Sequence, residues 1–311
     1  MKIKDLIPIY LKHLKTLGRP YNTIKGEKYG LKTLMRFLDE EHIYHVEDIT
    51  GDVMEEYQED LAFRLTAKGT LLSLVSRERV LCTARTFTRY LKEKDYLLHD
   101  PGERIKLPKS PKRLPKAILS ISEVKKLLNA PDMRTNRGYR DRVILEVLYD
   151  TAIRRAEMAG IKIPDLDLDA GYIKVKGKGN KERVVPVNKR VCEMTGNYIL
   201  GIRPSFIKQD DPGYLILNRS GNKMVPNGIY VVVKKCVSLA GIKKNVTTHT
   251  LRHTCASHML KNGAPVRHLQ EMLGHESLES TQIYTHVTIN DLKEIHTKYH
   301  PGEKMEEKPE K

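Results

Sequence analysis

Tyr172-Ile-Lys-Val-Lys176 and Glu182-Arg-Val-Val-Pro-Val187 alternate apolar and polar side chains on either side of Gly177-Lys-Gly-Asn-Lys181. A period of two on both flanks of a short glycine-rich stretch predicts a β-hairpin. Around it the period is helical. Upstream, Ser122-x-x-Lys precedes Val124, Leu127 and Leu128 as a capped helix, a longer helix covers residues 140–149, and another covers 154–161. Downstream, Tyr214-Leu-Ile-Leu217 reads as a third short strand. From Pro226 the pattern is helical to the end, with Gly241, Gly263 and Gly274 as helix-ending residues. A mainly α fold with a small antiparallel β-sheet (α+β) is expected.

The first third of the chain reads as all-helical. Leu6, Ile9, Tyr10, His13, Leu14 and Leu17 keep a period near 3.6 until Gly18. Asn22 or Thr23 is placed to cap a second helix through Leu31, Leu34, Met35 and Leu38, and a third begins near Gly51-Asp52. A fourth runs through Val80, Leu81, Ala84, Phe87 and Leu91, with Arg77, Arg79, Arg85 and Arg89 on its other sides. Leu107-Pro-Lys-Ser-Pro-Lys-Arg-Leu-Pro115 holds three prolines and three basic residues, the composition of an extended linker. The expected organisation is a helical domain at 1–107, a basic linker at 108–116, a second domain at 117–300 and a charged, disordered tail at 301–311.

Charge narrows the partner. The 311 residues carry 55 Lys+Arg against 39 Asp+Glu, a net charge of +16. Residues 1–107 hold only +2 of it, with ten acidic residues and no Lys or Arg between Asp39 and Asp60, and eight basic against two acidic between Arg64 and Lys94. Such an excess attracts polyanions, nucleic acid foremost. Arg77, Arg79, Arg85 and Arg89, with Lys112 and Arg113 in the linker, are the candidate phosphate contacts. Cys82, Cys192, Cys236 and Cys255 are scattered and form no C-x-x-C, which argues against a disulfide framework or a Cys-rich zinc site. No apolar run approaches the roughly 18 residues of a membrane span. The opening Met1-Lys2-Ile3-Lys4-Asp5 is unlike a signal peptide, so a soluble, cytoplasmic, nucleoid-associated protein is expected, with no membrane partner.

Four segments carry chemistry in combination: Thr151-Ala-Ile-Arg-Arg-Ala-Glu157, Gly177-Lys-Gly-Asn-Lys-Glu-Arg183, His249-Thr-Leu-Arg-His253, and Leu273-Gly-His-Glu-Ser-Leu-Glu-Ser-Thr-Gln-Ile-Tyr-Thr-His286. Phosphoryl transfer without metal needs fixed cations against the charge on the nonbridging oxygens. An arginine fork meets two such oxygens and stays charged, so Arg154 and Arg252 suit a two-sided clamp. Tyr284 suits the nucleophile that holds the phosphate covalently, and Lys178 on the hairpin tip suits the proton donor to the leaving alkoxide. His249 and His275 are the candidates for taking the tyrosine proton or hydrogen-bonding the phosphate. A zinc hydrolase is disfavoured: His249 and His253 stand four apart with His258 and His275 nearby in sequence, but Thr-Leu-Arg lies between the pair where a glutamate is wanted, and an arginine beside a cation is repulsive.

Together these segments resemble the tyrosine recombinases (integrases), and most closely their Xer-like branch. The hairpin G-K-G-N-K-E-R, the motif H-x-L-R-H-T from His249 to Thr254 and L-G-H-x-x-L-x-x-T-Q-I-Y-T-H from Leu273 to His286 all match. The first-arginine segment departs. It reads Thr-Ala-Ile-Arg-Arg-Ala-Glu-Met where T-G-L-R-x-S-E-L is usual, so Ala152 stands for glycine and Arg155 adds a charge. The resemblance implies a SAM-like helical core-binding domain and a catalytic domain with Arg154, Lys178, His249, Arg252, His275 and Tyr284 as its active site. Glu157 would orient an arginine; Arg155 and Lys181 would add DNA contacts or, for Arg155, altered packing. Implied partners are double-stranded DNA with a specific recombination site, three further copies of this chain around two synapsed duplexes, and a second recombinase or accessory protein. No cofactor, metal or ATP is implied. The helix at 290–298 either packs on a neighbouring protomer or closes its own domain. A type IB topoisomerase and a non-catalytic helix-turn-helix regulator are the rival readings, the second of which leaves Arg154, Lys178, Arg252 and Tyr284 as coincidence.

Overall fold

The computed structural model describes residues 1–66, 69–108, 117–177, 182–274 and 289–304. Its contacts divide the chain into two compact units, Met1–Arg113 and Leu114–Lys311.

The first unit is a four-helix arrangement of α1 (Ile3–Thr16), α2 (Tyr21–Glu40), α3 (Gly51–Phe63) and α4 (Leu74–Glu93). Leu6, Tyr10 and Leu14 of α1, Leu31, Leu34 and Leu38 of α2, Met54, Tyr57 and Leu61 of α3, and Val80, Ala84, Phe87 and Leu91 of α4 form one core. Hydroxyls start two of the helices: Thr50 Oγ1 accepts from the Val53 amide and Ser73 Oγ from the Ser76 amide. The second helix starts earlier than the Asn22 or Thr23 cap suggested. Pro20, at φ −58°, holds the preceding turn, and no side chain caps it. α2 and α4 approach closely enough that a Cβ at Gly30 would lie 2.6 Å from the Thr83 Cβ. Arg64 joins the acidic stretch to the basic one, reaching Glu40 at 2.5 Å and Asp60 at 2.6 Å. On α4, Arg79 and Arg89 are exposed, whereas Arg77 and Arg85 are half-buried, with Arg77 Nε donating to the Leu72 carbonyl. Lys112 and Arg113 lie outside the described residues.

The second unit runs α5 (Ile121–Leu128), α6 (Asn136–Thr151), α7 (Arg155–Gly160), β1 (Leu166–Asp167), β2 (Tyr172–Lys176), β3 (Glu182–Pro186), α8 (Lys189–Asn197), α9 (Pro226–Leu239), α10 (Thr248–Lys261), α11 (Val266–Leu273) and α12 (Ile289–Tyr299). The cap of α5 is Ser120 rather than Ser122; its Oγ accepts from the Glu123 amide while Glu123 accepts from the Ser120 amide, a reciprocal box. α6 is the central helix: thirteen of its 16 residues are buried, charged ones included. Glu146 is held between Arg142 at 2.7 Å and Arg190 at 2.6 Å, and Arg140 pairs with Asp141 at 2.8 Å.

The hairpin forms as the alternation predicts, with Ile173 opposite Val185 and Val175 opposite Arg183. The third strand is elsewhere. The sheet order is β1-β2-β3, so its outer strand is Leu166–Asp167, while Tyr214 and Leu217 make only isolated bridges to Lys162 and Lys223. Leu215, Ile216 and Leu217 are fully buried, and a short apolar run enclosed on all sides looks the same in sequence as a strand. Gly241, Gly263 and Gly274 all take positive φ, as their helix-ending role requires.

α12 closes its own unit over α6. His296 Nε2 donates to the Asp150 carbonyl at 2.8 Å, and the His296 and His300 rings stack at 4.8 Å. The Asp150 carboxylate accepts from both the amide and the side chain of Asn188. Packing continues past residue 300, where the tail was expected to begin. Pro301 and Gly302 are buried in a 3-10 turn, and the Gly302 amide donates to His300 Nδ1, so a Cβ at 302 would meet Asn188 at 2.7 Å. Residues 305–311 lie outside the described residues.

Burial, and after it the electrostatic interaction with His296, pushes the His300 pKa well below the usual value near 6.5. A depressed folded-state pKa means the unfolded chain takes up the proton first. The stability from neutral His300 is therefore present above about pH 6.5 and is lost as pH falls below it. Thermal unfolding followed from pH 7.5 to 5 should show stability falling by up to about 1.4 kcal/mol per pH unit from this group. His300→Gln should flatten the profile, and an unchanged slope in that variant would remove His300 as its source.

Candidate active site

α6 ends at Ala152, which adopts a left-handed conformation (φ 50°, ψ 25°). For a residue with a Cβ this costs roughly 1–2 kcal/mol, which explains why glycine is usual here in the motif it resembles. The turn aims the Ala152 carbonyl at Arg252, whose Nη1 donates to it at 2.7 Å. It also delivers Arg154 to the N-cap of α7. There the Arg154 amide donates to Glu157 Oε2 at 2.8 Å and its Nη1 to Oε1 at 3.0 Å.

Glu157 is the hub. Its side chain is 3% exposed, and a second arginine, Arg183 of β3, forks onto both its oxygens at 2.9 Å each. Burial alone would raise the Glu157 pKa. The hydrogen bonds from Arg183 and the Arg154 amide, with the charge of Arg183, outweigh it and hold the carboxyl below the usual range.

Three guanidinium groups converge on the last carbonyls of α11. Arg183 Nε donates to Met272 O at 3.1 Å, Arg252 Nη2 to Leu273 O at 2.5 Å, and Arg154 Nη2 to Gly274 O at 3.3 Å. A helix C-terminus presents unpaired carbonyls and partial negative charge, so it attracts cations. Gly274 is left-handed at φ 62°, and a Cβ there would press on Arg183 at 3.2 Å. Arg252 is 7% exposed, and burial, then the like charge of Arg154, lowers its pKa to about 10. It remains cationic at neutral pH. Among the described residues, three arginines meet one carboxylate here, a surplus positive charge of the kind a phosphate neutralises. Arg154, 38% exposed, is the member that reaches solvent.

His249 lies in the first turn of α10, one turn before Arg252, and is exposed; the Thr247 hydroxyl accepts from the Thr250 amide to cap that helix. Arg154, Glu157, Arg252 and His249 are thus described, and the first three are brought together. Lys178, Lys181, His275 and Tyr284 lie outside the described residues. Arg155 is exposed and its guanidinium stands 5.8 Å from the centre of the Tyr230 ring of α9. His258 turns away from any ligand role: Nε2 donates to the Leu119 carbonyl and Nδ1 accepts from the Tyr149 hydroxyl, each at 2.9 Å. Arg183 is the residue that reading the sequence missed. The signal was present, because the alternation of β3 places it on the same side as Val185, and an inward arginine requires a buried acid.

The profile of the Phage integrase family matches residues 118–291. Tyrosine recombinase XerD of Staphylococcus haemolyticus is 36% identical over 304 residues, covering 96% of this chain and 99% of that one. Tyrosine recombinase XerC 2 of Ralstonia nicotianae is 38% identical over 290 residues, covering 93% and 83%. The chain belongs to the phage integrase family of tyrosine recombinases. Among solved structures, the recombinase shares its fold with a lambda integrase dimer bound to a COC' core site (TM-score 0.70, 17% identity, 92% of this chain and 100% of that chain). It shares it also with XerH bound to difH in a pre-cleavage complex (TM-score 0.66, 21% identity, 93% and 82%). Among its described residues no helix is long and apolar enough to cross a membrane.

Proposed function

We propose that the recombinase cleaves and rejoins duplex DNA at a specific site through a covalent 3′-phosphotyrosine on Tyr284. The Tyr284 oxygen attacks the scissile phosphorus, and its proton passes to His275 or His249. The bond to the 5′ oxygen breaks, and Lys178 protonates that oxygen as it leaves. The 5′-hydroxyl of a partner strand then attacks the phosphotyrosine and restores a DNA phosphodiester, so no net bond energy is lost and neither ATP nor a metal ion is consumed. Arg154 and Arg252 hold the nonbridging oxygens throughout.

One observation carries this reading: Arg154 and Arg252, from separate segments, meet around a surplus of positive charge at the end of α11, immediately before His275. The exposed Arg79 and Arg89 of α4 are proposed as contacts to DNA phosphates, with Arg77, Arg85, Lys112, Arg113, Arg155 and Lys181 in support. Assembly as four copies on two synapsed duplexes is supported by a lambda integrase tetramer bound to a Holliday junction. A second recombinase or an accessory protein, and a cytoplasmic site of action on the nucleoid, complete the proposal.

A suicide substrate tests it. DNA nicked beside the cleavage site traps the covalent adduct because the short strand diffuses away. Wild-type protein is expected to form an adduct that resists denaturant and is indifferent to chelators, and Tyr284→Phe is expected to form none. No wild-type adduct, or one that survives Tyr284→Phe, would overturn the mechanism. Exchange of strands between two labelled duplexes, rather than relaxation of one, separates recombination from topoisomerase action.

A further inference from the structure

We infer that Arg183 is a positioning residue for strand cleavage: it locks Glu157, and through it Arg154, against the C-terminal end of α11. The inference rests on the cleavage chemistry proposed above. Arg183 spends all three guanidinium nitrogens on structure, Nη1 and Nη2 on the two Glu157 oxygens and Nε on the Met272 carbonyl. It therefore offers little to a phosphate directly, and its side chain is only 16% exposed. Each of its partners leads to another part of the site. Glu157 fixes the Arg154 guanidinium and amide. Met272 is adjacent to Leu273, which receives Arg252, and two residues before Gly274, which receives Arg154. β3 itself begins four residues after Lys178 in the sequence.

Chemistry explains why an arginine is needed. A lysine supplies one charge centre and cannot span two carboxylate oxygens and a carbonyl in a plane, whereas the guanidinium fork does. Without Arg183, Glu157 keeps only Arg154 of this pair. The Arg154 guanidinium is then drawn more fully onto the carboxylate and away from the bearing it needs toward a phosphate. A misplacement of about 1 Å at a reacting centre costs on the order of 100-fold in rate.

The test compares wild type, Arg183→Gln, Arg183→Lys, Glu157→Gln and the Glu157→Gln/Arg183→Gln double variant on nicked duplex DNA, measuring binding and single-turnover adduct formation. Arg183→Gln is expected to bind DNA within about threefold of wild type and to form adduct roughly 30- to 100-fold more slowly. Arg183→Lys is expected to recover less than a tenth of that loss. Because both residues act through one linkage, the double variant should be no slower than the slower single variant, a non-additivity that independent sites do not show. It should also unfold at a higher temperature than Arg183→Gln, which leaves a buried carboxylate underpaired, so slow cleavage in a well-folded double variant separates positioning from folding.

A substrate with a neutral methylphosphonate at the scissile position gives a readout that mere misfolding would not move. It removes the charge that Arg154 is positioned to meet, so the Arg183→Gln defect should shrink at least tenfold on it. An equal defect on both substrates, additive variants, or an Arg183→Gln rate within threefold of wild type would overturn the inference while leaving wild-type cleavage intact. Absence of a wild-type adduct would instead overturn the cleavage reading and this inference with it.

Discussion

Arg252→Ala is expected to slow adduct formation on nicked DNA by about 1,000-fold, the scale seen when a preorganised donor to a developing phosphate charge is removed. The structure gives the substitution two consequences of opposite sign. Arg252 is buried with carbonyl partners at Ala152 and Leu273, and losing it strands both acceptors, at roughly 1–3 kcal/mol for each unsatisfied group. Its removal also relieves a buried cation that lies beside Arg154 and is already pushed down to about 10 by burial and that neighbour. Stability should therefore fall far less than rate. Arg252→Lys restores a charge without the fork and should recover little of the rate. Single-turnover kinetics beside thermal unfolding distinguish the effects. An Arg252→Ala rate within tenfold of wild type would remove Arg252 from the phosphate clamp.

Glu157→Ala should have the largest effect on stability. It deletes the one carboxylate that Arg154 and Arg183 share, leaving Arg183 half-buried beside Arg252 with its main counter-charge gone. Breaking such a pair typically costs about 3–5 kcal/mol, which for a unit of this size lowers Tm by about 10 °C. Glu157→Gln keeps an acceptor of the same shape and should lose markedly less. The same carboxyl predicts acid behaviour: its folded pKa is below the usual value, so its stabilisation is present above about pH 4.5 and is lost as pH falls through the lower folded value. Calorimetry of both variants at pH 7 and pH 4 checks the pair. A Glu157→Ala protein as stable as wild type at pH 7 would show the cluster to be dispensable.

Reading from the sequence reached furthest where one residue's neighbours dictate its role. The hairpin was readable because alternation and a glycine-rich tip leave little else for that stretch to become. The glycine C-caps were readable because positive φ is a local demand. Arg154 and Arg252 were readable from the chemistry of their segments and Glu157 from the family resemblance, and the structure places the three together through Glu157 and the end of α11. What escaped depended on distant partners. The cap of α5 is the exception, a local signal passed over: Ser120-x-x-Glu123 has the capping-box spacing, and the reciprocal bonds form there rather than at Ser122. The buried segment at Tyr214–Leu217 could not be told from a strand, since burial on every side erases the alternation. Arg183 escaped because its partners, Glu157 and the Met272 carbonyl, stand 26 and 89 residues away.

The enclosure of α6 sets how this unit can change over time. A helix with one wet side has positions where substitutions are nearly silent, and sequences drift there first. α6 has almost none: its apolar residues face core and its Arg140, Arg142 and Glu146 are sealed in with partners on other segments. Replacing one member of those pairs strands the other, so acceptable changes must arrive as coordinated sets. Variation compatible with folding is thereby displaced to the periphery, to positions such as Leu200, Val231 and Leu239 that lie exposed on the outside. The turn that presents Arg154 is thus fastened to a helix in which most substitutions would disturb a packed or paired group.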